Sequence, residues 1–152
     1  MALTFLIAEG DAAEIGGKAL DALARVYGGF FSPADLSVDI SLIGKEEMQQ
    51  INNEYRSIDE PTDVLSFPLY NTLEDIRASS EPESLLGSLV ICPEKADAYE
   101  ETLPQLVHHG LLHLAGFDHE TDVEEWKAME LPLIELLAEA GLTVPSIPYE
   151  LL

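Results

Sequence analysis

The sequence predicts an α+β domain: a central mixed sheet of about four strands packed with helices, formed as one unit over residues 1–152. Three observations lead there. Apolar residues alternate over short segments and recur at helical spacing over longer ones. The two kinds of segment interleave in the order β-α-β-α-β-β-α-α. A chain of 152 residues, 47% of them hydrophobic, can also bury roughly 70% of the surface its unfolded form exposes, so it needs no covalent staple.

Each element follows from its local pattern. Residues 3–7 read as a short strand. Residues 11–27 place Ile15, Leu20, Leu23, Ala24 and Tyr27 at helical spacing, with Gly28-Gly29 as the stop. In residues 36–43, Leu36, Val38, Ile40 and Leu42 face one way and Ser37, Asp39 and Ser41 the other, the mark of a half-buried strand. Residues 45–55 form a short helix with Met48, Ile51 and Tyr55 on one stripe, and 57–62 a loop containing Pro61. Residues 64–69 make a strand closed by Pro68. Residues 70–84 are polar and acidic, contain Pro82, and predict a mobile loop. The most apolar run, 85–92, predicts a central strand. Residues 94–101 begin a helix that Pro104 interrupts or restarts, and 105–115 are helical up to Gly116. Residues 123–140 are amphipathic, with Pro132 expected to break or kink the helix. The tail, 142–152, carries Pro145 and Pro148 and is expected on the surface.

Composition narrows the function. Twenty-nine acidic residues against seven basic ones give a net charge of −22. Such a field repels nucleic acid and anionic membranes at long range. The apolar content is too high and too periodic for disorder. Cys92 is the only cysteine, so no internal disulfide forms, which fits a reducing compartment. Residues 1–8 are apolar but short, and Glu9 and Asp11 follow them without basic residues in front, unlike a secretory signal. No run approaches the ~18 apolar residues of a membrane span. A soluble, cytoplasmic protein is expected.

All four histidines fall between His108 and His119. His109 and His113 are one helical turn apart, so both rings share a face, as two ligands of one ion require. Gly116 can adopt the left-handed conformation that ends a helix, and the returning chain can bring His119 as a third ligand. Three neutral nitrogens leave a fourth tetrahedral position open, the layout of a catalytic zinc site rather than a closed structural one. A lone histidine is ordinarily a hydrogen-bonded surface or core residue; this spacing argues for a metal, Zn²⁺ first. His108 lies about 100° around the helix and takes no part. The spacing also matches metzincin proteases, which need Glu directly after the first histidine as general base. Here that residue is Gly110, which has no base to offer, so peptidase activity ranks low. Asp118 is equally a carboxylate supporting a ligand histidine or a turn-favouring residue. Glu120, Asp122, Glu124 and Glu125 read as helix-capping and solvent-facing acids.

The second informative stretch runs from Asn52 to Pro68. Arg56 could clamp a phosphate bidentately. By residue type alone, an ion pair with Asp59 or Asp63 is the commoner outcome. Thr62 and Asp63 look like turn or cap residues leading into the strand.

Together these segments resemble the YbeY family of bacterial metal-dependent endoribonucleases. The family signature resembles His-Gly-x-Leu-His-Leu-x-Gly-Tyr-Asp-His, and the chain reads His109-Gly110-Leu111-Leu112-His113-Leu114-Ala115-Gly116-Phe117-Asp118-His119, with Phe117 for the usual Tyr. Tyr55-Arg56 and Pro61-Thr62-Asp63-Val64-Leu65-Ser66-Phe67-Pro68 are similar to its other block, and Leu86-Gly87-Ser88-Leu89-Val90-Ile91-Cys92 to its central strand. The resemblance implies an α+β fold with a three-histidine metal site at a helix end. It implies cleavage of single-stranded RNA, maturation of ribosomal RNA (the small-subunit 3′ end) and ribosome quality control, with ribosomal particles or ribosomal proteins as partners. It makes His109, His113 and His119 zinc ligands and Arg56 the functional arginine. How a chain of charge −22 docks on RNA stays open: a less negative groove near Arg56 and the metal, screening by salt, or protein partners. The rivals are a metallohydrolase of another substrate class and a non-enzymatic, zinc-containing ribosome assembly factor.

Overall fold

A computed structural model describes residues 2–146. Strands β1 (Leu3–Glu9), β2 (Leu36–Leu42), β3 (Val64–Pro68) and β4 (Ser84–Ile91) form one sheet in the order β1-β2-β4-β3. β1, β2 and β4 run parallel, and β3 pairs antiparallel with β4. The sheet is therefore mixed and four-stranded. β2 and β4 are its inner strands, and Val38, Ile40, Leu86, Leu89 and Ile91 are fully buried there.

Helices α1 (Gly17–Phe30), α5 (Leu103–Leu114) and α6 (Val123–Glu139) belong to the larger core, with Leu23, Tyr27, Leu111, Trp126 and Leu137 buried among them. Helix α2 (Lys45–Arg56) covers a smaller cluster of Ile43, Met48, Leu65 and Cys92. Leu65 and Ser66 point to opposite faces of β3 by strand alternation. β3 is thus an edge strand with α2 behind it and α5 in front.

The mixed sheet of four strands agrees with the sequence reading, and four details differ. The first helix does not begin at residue 11: Asp11 caps a short 3-10 turn, Ala12–Glu14, and α1 starts only at Gly17. It then continues through Gly28-Gly29 to Phe30, because Tyr27, Phe30 and Phe31 pack ring against ring. Within the loop expected at 70–84, Thr72 caps a helical turn, α3 (Leu73–Arg77), anchored by the fully buried Ile76. Pro132 does not break α6. Pro132 and Ala128, whose carbonyl loses its partner, are both on the exposed side, where water can serve instead. Finally, Val144 of the predicted surface tail is buried in the core; residues 147–152 of that tail lie outside the described residues. Among the described residues no helix is long and apolar enough to cross a membrane.

Two glycines set how closely α5 sits on the sheet. A Cβ at Gly110 would lie 2.6 Å from Leu89 Cδ2 and 3.3 Å from Ser66 Oγ. One at Gly87 would lie 2.5 Å from the Phe67 carbonyl oxygen and 2.8 Å from Leu114 Cδ2. Only residues without a side chain allow this approach.

Candidate metal centre

Helix α5 is started firmly. Thr102 Oγ1 accepts from the Gln105 amide at 3.2 Å, and the Gln105 side chain accepts from the Thr102 amide at 3.4 Å, forming a capping box. Pro104 falls in the first turn, where its missing N–H leaves no bond unmade. The short helix before it, α4 (Pro93–Ala98), is therefore separate. α5 ends at Leu114 with Ala115 as its cap, and Gly116 turns the chain with φ of 100°. Asp118 then holds the turn: its carboxylate accepts from the Glu120 amide at 2.9 Å, and its carbonyl from the Asp122 amide at 3.0 Å. Asp122 caps α6. The Asp118 carboxylate is thus committed to the turn, though its charge still acts on His113.

This path brings His109, His113 and His119 together. One ring nitrogen from each lies within 4.8 Å of the other two. His109 Nε2 and His113 Nε2 are 3.1 Å apart, and the His119 ring centroid is 5.2 Å and 5.1 Å from those of His109 and His113. Trp126, from α6, touches all three rings, with centroids 5.0, 4.8 and 5.0 Å from His109, His113 and His119. Nothing in the sequence marks this role beyond a lone tryptophan on the apolar stripe with Leu133 and Leu137.

The electrostatics favour a cation. Burial pushes the His109 imidazole down from 6.5 to about 2, assisted by His113, His119 and His108. His113 is also lowered, first by burial and then by His119, against opposing effects of Asp118, the Phe117 backbone and Glu120. Neutral rings present lone pairs. Three ligands at roughly 2.05 Å on a tetrahedron lie about 3.3 Å apart, close to the 3.1 Å between the two Nε2 atoms. His109 Nδ1 and His119 Nδ1 are buried without a hydrogen-bond partner among the described residues, and the rings pack on Trp126. The donor set fits a transition metal with soft-to-borderline preference for nitrogen.

A cleft of about 560 Å³ opens beside the cluster, lined also by Arg56, Asp63, Ser66 and Glu101. Arg56 is exposed and makes no ion pair among the described residues, so neither Asp59 nor Asp63 takes it. Asp63 instead accepts from the Val64 amide at 2.8 Å, as a turn residue does. Glu101, which the sequence did not single out, hydrogen-bonds to Asp63; burial first, then that bond and Asp63's charge, raise it to about 8.

His108 faces away from the cluster, as its angle predicts, and is not idle. Its Nδ1 lies 2.7 Å from the Tyr27 hydroxyl and its Nε2 3.0 Å from Glu130 Oε2, all three groups being buried. This network ties α5 to α1 and α6 directly behind the ligand helix. Gly110, where a metzincin carries its base, points into the sheet at Leu89, so no side chain there reaches the cluster.

Comparison with known proteins agrees with this arrangement. The model of the family "Endoribonuclease YbeY" matches residues 11–141. An endoribonuclease YbeY of Thermoanaerobacter sp. (strain X514) is 38% identical over 122 residues, covering 71% of this chain and 76% of the relative. That of Campylobacter jejuni (strain RM1221) is 44% identical over 114 residues, covering 70% and 77%. The solution structure of TM1509 from Thermotoga maritima superposes with a TM-score of 0.56 at 26% identity, covering 96% of this chain and 97% of that one. A sheet, a histidine cluster and a sequence match that coincide over most of the chain place it in the endoribonuclease YbeY family.

Proposed function

We propose that this chain is a zinc-dependent endoribonuclease that cuts single-stranded RNA, acting in the cytoplasm on the 3′ end of small-subunit ribosomal RNA and in ribosome quality control. The observation that carries the reading is the cleft that brings three converging histidines together with an Arg56 that makes no ion pair among the described residues. His109, His113 and His119 would hold the ion. When bound, a divalent ion there supplies Lewis acidity toward water and a phosphoryl oxygen. The Arg56 guanidinium orients the phosphodiester and stabilises charge gathering on its non-bridging oxygens. Trp126 packs on the three rings, and the Tyr27–His108–Glu130 network holds the helix that carries two of them.

The cleft also bears on the problem of charge. Among the described residues Arg56 is the only Lys or Arg along it, facing Asp63, Asp118, Glu120 and a Glu101 that holds its proton below about pH 8. A divalent ion with Arg56 offsets the formal charge of those three remaining carboxylates. The metal-free cleft is therefore negative and the loaded one close to neutral, so RNA should enter only when metal is present.

The test is incubation of the zinc-loaded chain with single-stranded RNA and with casein, side by side, before and after chelation. The reading expects RNA cleavage alone, lost on chelation and restored by zinc. Casein cleavage would make the chain a metallohydrolase of another class. Co-sedimentation with ribosomal particles without any metal-dependent cleavage would make it an assembly factor.

A further inference from the structure

We propose that Tyr55 is a stacking platform for a nucleobase next to the phosphodiester held in the cleft. The proposal rests on the RNA reading above and names a contact for it. Helical spacing places Tyr55 on one stripe with Met48 and Ile51. The structure separates them: Met48 is fully buried, whereas Tyr55 is 68% exposed, more than any other large apolar side chain among the described residues. An aromatic ring left in water at that level forfeits the burial that aromatic residues usually obtain.

Its position explains what could cover it. Tyr55 and Arg56 are the last two residues of α2, and Ser57 ends the helix in the left-handed conformation, its amide bonded to the Asn52 and Asn53 carbonyls. That cap ends the helix directly after both residues. Arg56 reaches into the cleft. The Tyr55 ring packs against Phe67 of β3, with centroids 5.1 Å apart and planes at 68°, and the residues on either side of Phe67, Ser66 and Pro68, line the cleft. Phe67 can occupy at most one side of the ring, and the 68% exposure leaves the rest of it open to solvent. A strand whose phosphate lies on Arg56 has an adjacent base within reach of that open side.

Charge favours a base over further phosphate contacts. With Arg56 as the only Lys or Arg along the cleft among the described residues, little affinity can come from phosphate contacts to basic side chains. Stacking needs no cation and tolerates any base, since every base has a π face. An acidic nuclease of this kind would recognise unpaired strands because only unpaired bases can leave their own stack to reach the ring.

The experiment is steady-state cleavage of a single-stranded oligoribonucleotide by the zinc-loaded full chain, with Tyr55→Phe and Tyr55→Ala beside it. Loss of a base–aromatic stack predicts a rise in KM of roughly tenfold for Tyr55→Ala, with the Phe variant at the wild-type value because its ring remains. One abasic nucleotide, moved stepwise along the substrate, should erase the difference between wild type and Tyr55→Ala at a single position. Equal KM values for wild type and Tyr55→Ala, with RNA still cut, would overturn the platform and leave the RNA reading standing. Equal KM values together with loss of Tyr55→Ala from ribosomal particles would assign the ring to a protein contact and likewise overturn it. A wild-type chain that neither binds nor cuts RNA would overturn the RNA reading and the platform with it.

Discussion

Gly110→Ala should destabilise this protein even though it places a better helix former in the middle of α5. In an open helix interior the change gains about 1 kcal/mol. Here the new Cβ lands 2.6 Å from Leu89 Cδ2 and 3.1 Å from its Cδ1, and Leu89 is fully buried in β4. Overpacking at such a site costs typically 1–3 kcal/mol. The contact wins, and the net change is a loss of about 1 kcal/mol. Gly29, in α1, supplies the control: it is exposed, and a Cβ there meets nothing within 4 Å. Gly29→Ala should gain up to about 1 kcal/mol. Urea denaturation of both variants, followed by the fluorescence of Trp126, reads the opposite signs. Relief of the overlap would lift α5 away from the sheet and carry His109 and His113 away from His119, so zinc affinity should fall in Gly110→Ala and stay unchanged in Gly29→Ala. Equal gains in both variants would refute the reasoning, since α5 would then not be pressed on the sheet.

Three further predictions follow from the same geometry. Arg56→Ala should lower kcat/KM for RNA by roughly a hundredfold, with Arg56→Lys recovering only part because a point charge does not reproduce a bidentate fork; full activity in the alanine variant would remove its assigned role. Tyr27→Phe leaves His108 Nδ1 and the His108 carbonyl without their shared hydroxyl and should cost about 1–3 kcal/mol in urea denaturation, a change below 0.5 kcal/mol contradicting the network. The His109 imidazole is depressed to about 2 when folded and titrates near 6.5 when unfolded, so the unfolded chain alone takes up that proton on acidification. Its stabilising contribution is complete above pH 6.5 and is lost below it, by about 2 kcal/mol at pH 5 in the metal-free protein. Comparing wild type with His109→Gln at pH 7 and pH 5 cancels the shared carboxylate background, and parallel pH dependences would show that His109 is not held neutral.

What could be read from the sequence was what one element determines by itself. The turn of an α-helix places His109 over His113, and Gly116 supplies the reversal that His119 needs, so the cluster's geometry is local. Strand alternation likewise marks β2, and the apolar run 85–92 marks β4. Contacts made between distant elements were not visible. Trp126 meets the histidines only because Asp118 and Asp122 fold α6 back onto α5. Tyr27 reaches His108 across 81 residues of sequence, and Glu130 across 22. Arg56 approaches the cluster around the edge of β3, a placement that no spacing encodes. Punctuation residues misled where packing outweighed them: the aromatic group of Tyr27, Phe30 and Phe31 carries α1 past two glycines. α6 runs on through Pro132, on its exposed side. In the segment 70–84 a single buried Ile76 anchors α3, too little apolar content to register as a period.

The central claim is that His109, His113 and His119 hold one zinc ion. Metal content by mass spectrometry, on purified wild type beside His113→Ala and after both have been supplied with zinc, tests it most directly. The account predicts about one zinc per wild-type chain and a loss of it in the variant. Zinc-free wild-type protein, or equal zinc in both, would contradict it.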